Sequence, residues 1–534
     1  MFFWLKRHFR IVFLALTAPL LLFAVGFPGL VKAEVSGQIT SFDEIDRLVE
    51  EQMVAGHIPG LALVITSGDQ IVHVKGFGVT SLDDPRPVTE NTIFDLASIS
   101  KSFTALAILL LRDEGLIDLG QPVQRYLPDF ELADPEASAQ ITVAQLLNHT
   151  SGLPTGTDPL MYQQGSDAME KMVAGLGDVH LDREPGEYFE YANLNYSLLG
   201  AIVERVSGLP FEMFVQERIF DPLGLGHTTA YPDVAESLGK SDGHQPIFGF
   251  VITRNVPVYR TAVPAGWVMS SAADMGRWLI FHQNGGKLDG QQLVPIEDIE
   301  KLHQPTTTLE RDNQTVGYGM GWFSFTDGNG ISYIWHGGDT PNFSTEMILV
   351  PGYGLGVAMM VNSQNESLVH SLAPQIVGLM VGTDVELPSA PWWASWASLD
   401  KFASFLAAVD LFLVLALVGY IWWLRQQVRM GKRQRLTWPF LQKWRLHIRH
   451  AVLNISPLVA LGLILLAIFL VARYFFGFDP FSIAVDFRLF SPPSIWWSSV
   501  GFFFAIGLWT LMLAALGLAF VKDQVKLDSA NSGK

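Results

Sequence analysis

The sequence predicts an α+β domain followed by a three-helix transmembrane region. Within the domain, one antiparallel sheet is built from segments near both ends and flanked by helices, with a helical lobe inserted between. Three observations carry this reading. Short β-branched runs broken by glycine turns occur near residues 60–80 and again at 331–363, with helical spacing between them. Three apolar runs of spanning length follow residue 400. Charge divides at the same place: residues 34–400 carry 17 Lys and Arg against 47 Asp and Glu, whereas 401–534 carry 14 against 5.

Residues 1–33 begin MFFWLKRHFR, continue through the apolar IVFLALTAPLLLFAVGF and end in VKA. A basic start, an apolar middle and a small-residue site make a signal peptide cleaved after Ala33, or an uncleaved anchor. Either way the segment that follows is exported. The exported domain is expected over 34–390. GLALVITSG and QIVHVKGFGVT read as two strands around a Ser-Gly-Asp turn. FDLASISKSFTALAILLL opens a long apolar helix, and SLLGAIVERVSG has helical spacing with a glycine stop. ISYIWHGG, FSTEMILV and LGVAMMVNS are short strands between glycine turns, and SLVHSLAPQIVGLMVG closes the domain as a helix. The junction of lobe and sheet is the expected place for a site.

Ser98 and Lys101 stand at the mouth of the apolar helix. Residues i and i+3 share a helix face, so Lys101 can reach Ser98 and, if burial keeps it neutral, take its proton. The plainer alternative is that Ser98 caps the helix and Lys101 snorkels out of it. With 34 serines and 14 lysines, about one S-x-x-K is expected by chance. The chain has three, Ser98/Lys101, Ser237/Lys240 and Ser398/Lys401. Gly239 and the SDGHQP that follows cannot continue a helix from Ser237, and Ser398 borders a tryptophan-rich membrane boundary. Only Ser98 opens a helix that would hold it rigidly.

Composition excludes several chemistries. The chain has no cysteine, so thiolate catalysis, disulfides and cysteine–zinc sites are absent. Its histidines form no HExxH-like pair, which argues against a zinc hydrolase, and no metal or cofactor is expected. An exported domain of net charge −30 is a poor partner for nucleic acid, whose phosphates need Lys and Arg.

The spans are expected at about 403–424, 451–472 and 497–521, after a linker at 391–402, in a membrane domain of 403–534. Trp392, Trp393 and Trp396 precede the first span, Trp422 and Trp423 end it, and Trp496 and Trp497 mark the third. Residues 425–450 carry eight Lys and Arg and no acid, which puts them in the cytoplasm and the large domain outside. The expected location is therefore the cell membrane, multi-pass, with the domain extracytoplasmic. Asp410, within the first span, is either a functional intramembrane carboxylate or an interfacial residue facing Arg473.

SISK, LLNHTSGLP, PGEYFEYANLNYSLLG, PLGLGHTT, PAGWVMSSAADMGRWL, GYGMGW and WHGGDTPNFST occur in that order over about 340 residues. Together they resemble the serine β-lactamase/DD-peptidase superfamily, in its class C-like branch of penicillin-binding proteins and esterases, which is bacterial in the main. The resemblance implies Ser98 as the acylated nucleophile and Lys101 as its base. The Y-x-N element falls on Tyr191-Ala192-Asn193, with Tyr191 passing a proton to the leaving group and Asn193 bonding Lys101 and the acyl chain. The third element falls on His336-Gly337-Gly338. His336 and Gly338 would bind substrate, and the N–H groups of Ser98 and Asp339 would form the oxyanion hole. Asn148 and His149 are read as structural. The chain departs from the pattern at Gly337, where many relatives carry a hydroxyl that binds a substrate carboxylate. Esters, or amides without that carboxylate, are therefore expected over D,D-carboxypeptidase or strong β-lactamase activity, with a small-molecule or peptidoglycan- or teichoic-acid-type substrate. The alternatives are a β-lactam- or peptidoglycan-sensing receptor acylated at the same serine, or a true β-lactamase or D,D-carboxypeptidase.

Overall fold

The computed structural model describes residues 41–311, 314–388 and 396–430, with a few isolated positions further on. The described residues divide into two compact units, one ending at Leu399 and the other beginning at Asp400.

Helix α1 (Phe42–Gly56) is capped by Ser41, whose hydroxyl accepts from the Asp43 N–H, and it ends at His57 in a left-handed conformation. Strands β1 (Gly60–Ser67) and β2 (Gln70–Gly78) form the expected hairpin. The chain then leaves the sheet. Helices α2 (Ser100–Asp113), α3 (Asn193–Ser207) and α4 (Ala272–Gln283) are the principal elements that intervene. It returns through β3 (Thr307–Arg311), β4 (Gln314–Tyr318), β5 (Phe323–Thr326), β6 (Ser332–Asp339), β7 (Ser344–Val350) and β8 (Leu355–Val361), and finishes in α5 (Glu366–Val381). The eight strands form one antiparallel sheet in the order β2-β1-β8-β7-β6-β5-β4-β3.

The sheet therefore joins both ends of the domain, as the sequence predicts. Leu61 faces Val361 and Val64 faces Ala358 across the β1–β8 seam. Strands β7 and β8 are buried at every position because both faces are covered. One face carries Leu61, Leu63, Ile348, Val357 and Met359 against Ile45, Val49, Leu372 and Ile376 of α1 and α5. The other carries Ala62, Val64, Met347, Leu349 and Met360 against the helical lobe, where Phe103, Leu106, Leu199 and Trp278 are fully buried. Burial of each such large side chain contributes about 1.5–3 kcal/mol, so α2 is held as rigidly as its sequence suggests.

Two differences from the sequence reading stand out. The sheet extends over β3 to β5, whose polar, half-exposed alternation gave no clear strand signal. The segment read as a linker, 391–402, is helical from Trp396, where α6 (Trp396–Arg429) begins. Among the described residues, one helical stretch, Ser398–Gln427, is long and apolar enough to cross a membrane, with a mean hydropathy of 2.4. It contains the first expected span. The segment 1–33, the span at 451–472, most of the span at 497–521 and Arg473 lie outside the described residues.

Candidate active site

Three remote segments converge where the lobe meets the sheet. Ser98 lies in a short 3-10 turn (Ala97–Ile99) that leads into α2. Tyr191 and Asn193 sit at the start of α3, and His336 to Asp339 end β6. Ala97 has a φ of +47°, a left-handed conformation that costs a non-glycine residue energy. This kink turns Ser98 out of the helix line. Ser100 Oγ fastens the turn, donating to Ala97 O at 2.6 Å and accepting from Val268 N at 2.9 Å. Ser98 does not cap α2, and Lys101 is fully buried rather than snorkelling, so the plainer reading of the pair falls.

Lys101 Nζ lies 3.1 Å from Ser98 Oγ, 2.8 Å from Asn193 Oδ1 and 2.6 Å from Ala265 O. Burial lowers its pKa to about 7, although Asp158 opposes the shift. In the neutral form its two N–H groups serve the two carbonyl oxygens, which leaves the lone pair toward Ser98. Tyr191 shares a hydrogen bond with Ser98, and burial pushes its phenol well up, so it stays protonated. The Lys101 amine lies over the Tyr191 ring, 4.8 Å from its centroid.

Asp158 is a participant that the sequence reading missed. It is half-buried and accepts from Asn193 Nδ2 at 3.3–3.4 Å, and desolvation raises its pKa to about 6. Asn193 thus bridges an amine and a carboxyl group. Asp158 belongs to no motif; TGTDP reads only as a turn, so no sequence signal singled it out.

His149 supports the second element, consistent with its structural reading. Its Nδ1 bonds Asn195 Nδ2 at 2.9 Å and accepts from the Ala192 N–H, and its ring packs 4.4 Å from that of Tyr191. Asn148 Oδ1 accepts from Thr150 Oγ1 at 2.6 Å and closes the same loop.

His336 is 2% exposed and aims at the lobe face. Burial, with Lys101 as a second cause, drops its pKa to about 3. It is therefore neutral, so any hydrogen bond it makes to a substrate is that of an uncharged imidazole. Gly338 is required: a Cβ there would lie 2.7 Å from Ser98 N, Leu96 O and Thr345 Oγ1. Asp339 follows, exposed, its Oδ1 accepting from Ser344 Oγ at 2.7 Å.

Two cavities meet at Ser98, Asn193 and Asp339. The smaller, about 70 Å³, is lined by Asp158, Tyr162, Tyr259, Trp267 and their neighbours. The larger, about 450 Å³, opens past Tyr191 and His336 to Arg311, Glu346 and His370. All seven sequence-predicted site residues, Ser98, Lys101, Tyr191, Asn193, His336, Gly338 and Asp339, come together here. No cluster of metal-ligating side chains occurs among the described residues.

Comparison with known proteins bears on the family and the fold. Protein flp of Staphylococcus aureus (strain MW2) is 29% identical over 353 residues, spanning 63% of this chain and 67% of that protein. Penicillin-binding protein 4 of Amycolatopsis lactamdurans is 29% identical over 344 residues, 63% of this chain and 89% of that one. Among solved structures, an octameric penicillin-binding protein homologue from Pyrococcus abyssi superposes with a TM-score of 0.58 at 27% identity, covering 65% of this chain and 78% of that one. The Beta-lactamase family model matches residues 45–378. The chain belongs to the Beta-lactamase family, as a serine hydrolase of the penicillin-binding-protein and β-lactamase type.

Proposed function

We propose that this chain is a membrane-anchored, extracytoplasmic serine hydrolase that works through an acyl-enzyme on Ser98. Its substrates are D-alanyl amides or esters of the cell envelope, of peptidoglycan or teichoic-acid type, or small esters. The observation that supports this best is Lys101, fully buried with its pKa lowered to about 7 and 3.1 Å from Ser98 Oγ. A base with its pKa near the working pH combines the right protonation state with driving force.

Ser98 Oγ attacks the substrate carbonyl carbon and gives its proton to Lys101. The N–H groups of Ser98 and Asp339 receive the oxyanion. As the bond to the leaving group breaks, the Tyr191 hydroxyl protonates the departing oxygen or nitrogen and is reprotonated from Lys101. Water then attacks the Ser98 ester along the reverse proton path, releasing the acid and restoring the Ser98 hydroxyl. Asn193 holds Lys101 and faces the acyl chain, and His336 packs as a neutral wall.

The domain of 34–390 stands outside the cell, its net negative charge keeping it off anionic lipid, and the segment 403–534 anchors it in several passes. Intact mass of the full chain in detergent, after exposure to an activated ester and to a labelled penicillin, tests the reading. A transient adduct on Ser98 is expected. A persistent adduct would instead make the protein an acylated receptor, and absence of any adduct would overturn acyl-enzyme chemistry.

A further inference from the structure

The larger cavity is the side on which the leaving group departs, because Tyr191 borders that cavity and not the smaller one. This inference rests on the serine hydrolase reading above. The wall of that cavity holds two residues that the catalytic scheme does not use, Glu346 and His370. Glu346 on β7 is 2% exposed and lies opposite Gly337 across the β6–β7 register. His370 on α5 bonds Glu346 through Nδ1 and Asp339 Oδ2 through Nε2, the latter at 3.0 Å. Burial disfavours its charge, but the two carboxylates outweigh burial and hold its pKa well above the ordinary value.

The imidazole occupies the volume that a side chain at 337 would need. A Cβ on Gly337 would lie 2.5 Å from His370 Cε1 and 3.0 Å from Glu346 Oε2. The missing hydroxyl at 337 is thus not an open space, since a histidine from another element fills it. Both ring nitrogens are committed, so His370 has no N–H left for an incoming anion. Glu346 keeps one oxygen, Oε1, buried without a hydrogen-bond partner. A buried acceptor left unpaired is costly, and its natural complement is a donor on the ligand.

We propose that Glu346, backed by His370, sets the specificity of the leaving-group pocket, selecting leaving groups that carry a further hydroxyl or ammonium donor and rejecting those with a free carboxylate. A carboxylate seated at Gly337 meets the acidic Glu346 and Asp339 and finds no donor at 337. The other titratable groups lining this pocket are Tyr191, His336 and Arg311, whose guanidinium sits 5.4 Å from the Phe323 ring centroid, while Lys101 is buried against the Tyr191 ring. Arg311 is the group that would favour an anion, so the test must let it compete.

The test uses the full chain in detergent and three esters of one acyl group, with 2-hydroxyethyl, propyl and carboxymethyl leaving groups. We expect kcat/KM to fall in that order, with the hydroxyethyl ester ahead of the propyl by roughly tenfold or more, the worth of a hydrogen bond to a charged group. Glu346→Leu should bring that ratio close to one while Ser98 is still labelled by a fluorophosphonate. Should Glu346→Leu fail to fold, a second pair of variants decides. Gly337→Thr alone should depress turnover of all three esters, and adding His370→Ala should restore it and raise the carboxymethyl ester relative to the propyl. Equal rates on hydroxyethyl and propyl esters, or a carboxymethyl ester that beats the propyl, overturn the inference and leave the hydrolase reading standing. No turnover of any ester together with no labelling of Ser98 overturns both.

Discussion

Replacing Asp158 with asparagine should move the pH profile of the enzyme in a direction fixed by the structure. Lys101 acts as a base only when unprotonated, and its pKa stands at about 7. Activity therefore rises as pH increases through that value and is lost below it. Asp158 faces Lys101 through Asn193, with hydrogen bonds of 2.8 Å on one side and 3.3–3.4 Å on the other. Two such bonds across one amide put the charges roughly 6–8 Å apart, where Coulomb's law at an effective dielectric of ~20 gives at most about 2–3 kcal/mol. One pKa unit is worth about 1.4 kcal/mol, so the carboxylate holds the amine up by about 1–2 units. Asp158→Asn keeps the hydrogen-bonding shape and removes the charge. The acid limb of kcat/KM, which reports groups of the free enzyme, should shift to lower pH by about 1–2 units. The assay is kcat/KM for an activated ester from pH 4 to 9, for wild type and Asp158→Asn side by side. An acid limb that stays in place, or moves up, would refute both the assignment of that limb to Lys101 and the role given to Asp158.

Further expectations follow from the same geometry. Ser98→Ala should abolish fluorophosphonate labelling, whereas Ser237→Ala and Ser398→Ala should leave it intact; Ser237 Oγ merely donates to Val234 O at 2.7 Å. Lys101→Ala and Tyr191→Phe should each slow turnover by ~10²–10⁴-fold, with thermal unfolding measured alongside to show that the domain still folds. Gly338→Ala should cut activity sharply because its Cβ would press on Ser98 N and Leu96 O at 2.7 Å; wild-type rates in that variant would mean the strand end does not border the reacting group. A reporter placed after Lys534 should be cytoplasmic and one placed after Pro391 external, and finding both on one side would refute three spans.

What the sequence made legible is the part whose signal is local. β1, β2 and β6 to β8 are apolar or alternating runs closed by glycine turns, and α2 is apolar enough to be buried on every side. Spacing alone left three S-x-x-K pairs, and the seven candidate residues were named only through the resemblance that SISK, YAN and HGG carry in order; that they lie close together is what the fold adds. Asp158 was not legible, since its meaning comes from burial beside Asn193, which no spacing encodes. Glu346 left a faint trace as a lone acid in the otherwise apolar FSTEMILV, and His370 left none within its helix. The neutrality of His336 was not legible either, because burial and the nearby Lys101, both tertiary effects, decide it.

The departure at position 337 shows how such a site changes without losing its frame. Gly338 cannot vary, because the backbone of the Ser98 turn lies against it, so the strand end is fixed whatever the substrate. Position 337 points to the opposite face, toward α5 and β7, where a side chain can be exchanged for a group from a neighbouring element. Here His370 takes that place and brings two carboxylates with it, tying β6, β7 and α5 together beside the nucleophile. His370→Ala therefore removes more than a side chain in a pocket: it leaves Glu346 buried without its counter-charge, a loss that commonly costs 3–5 kcal/mol. The chemistry of Ser98 and Lys101 belongs to the lobe face and should survive that loss as long as the domain folds, while leaving-group preference belongs to the α5 face and should not. The two faces of one strand thus divide reaction from selection.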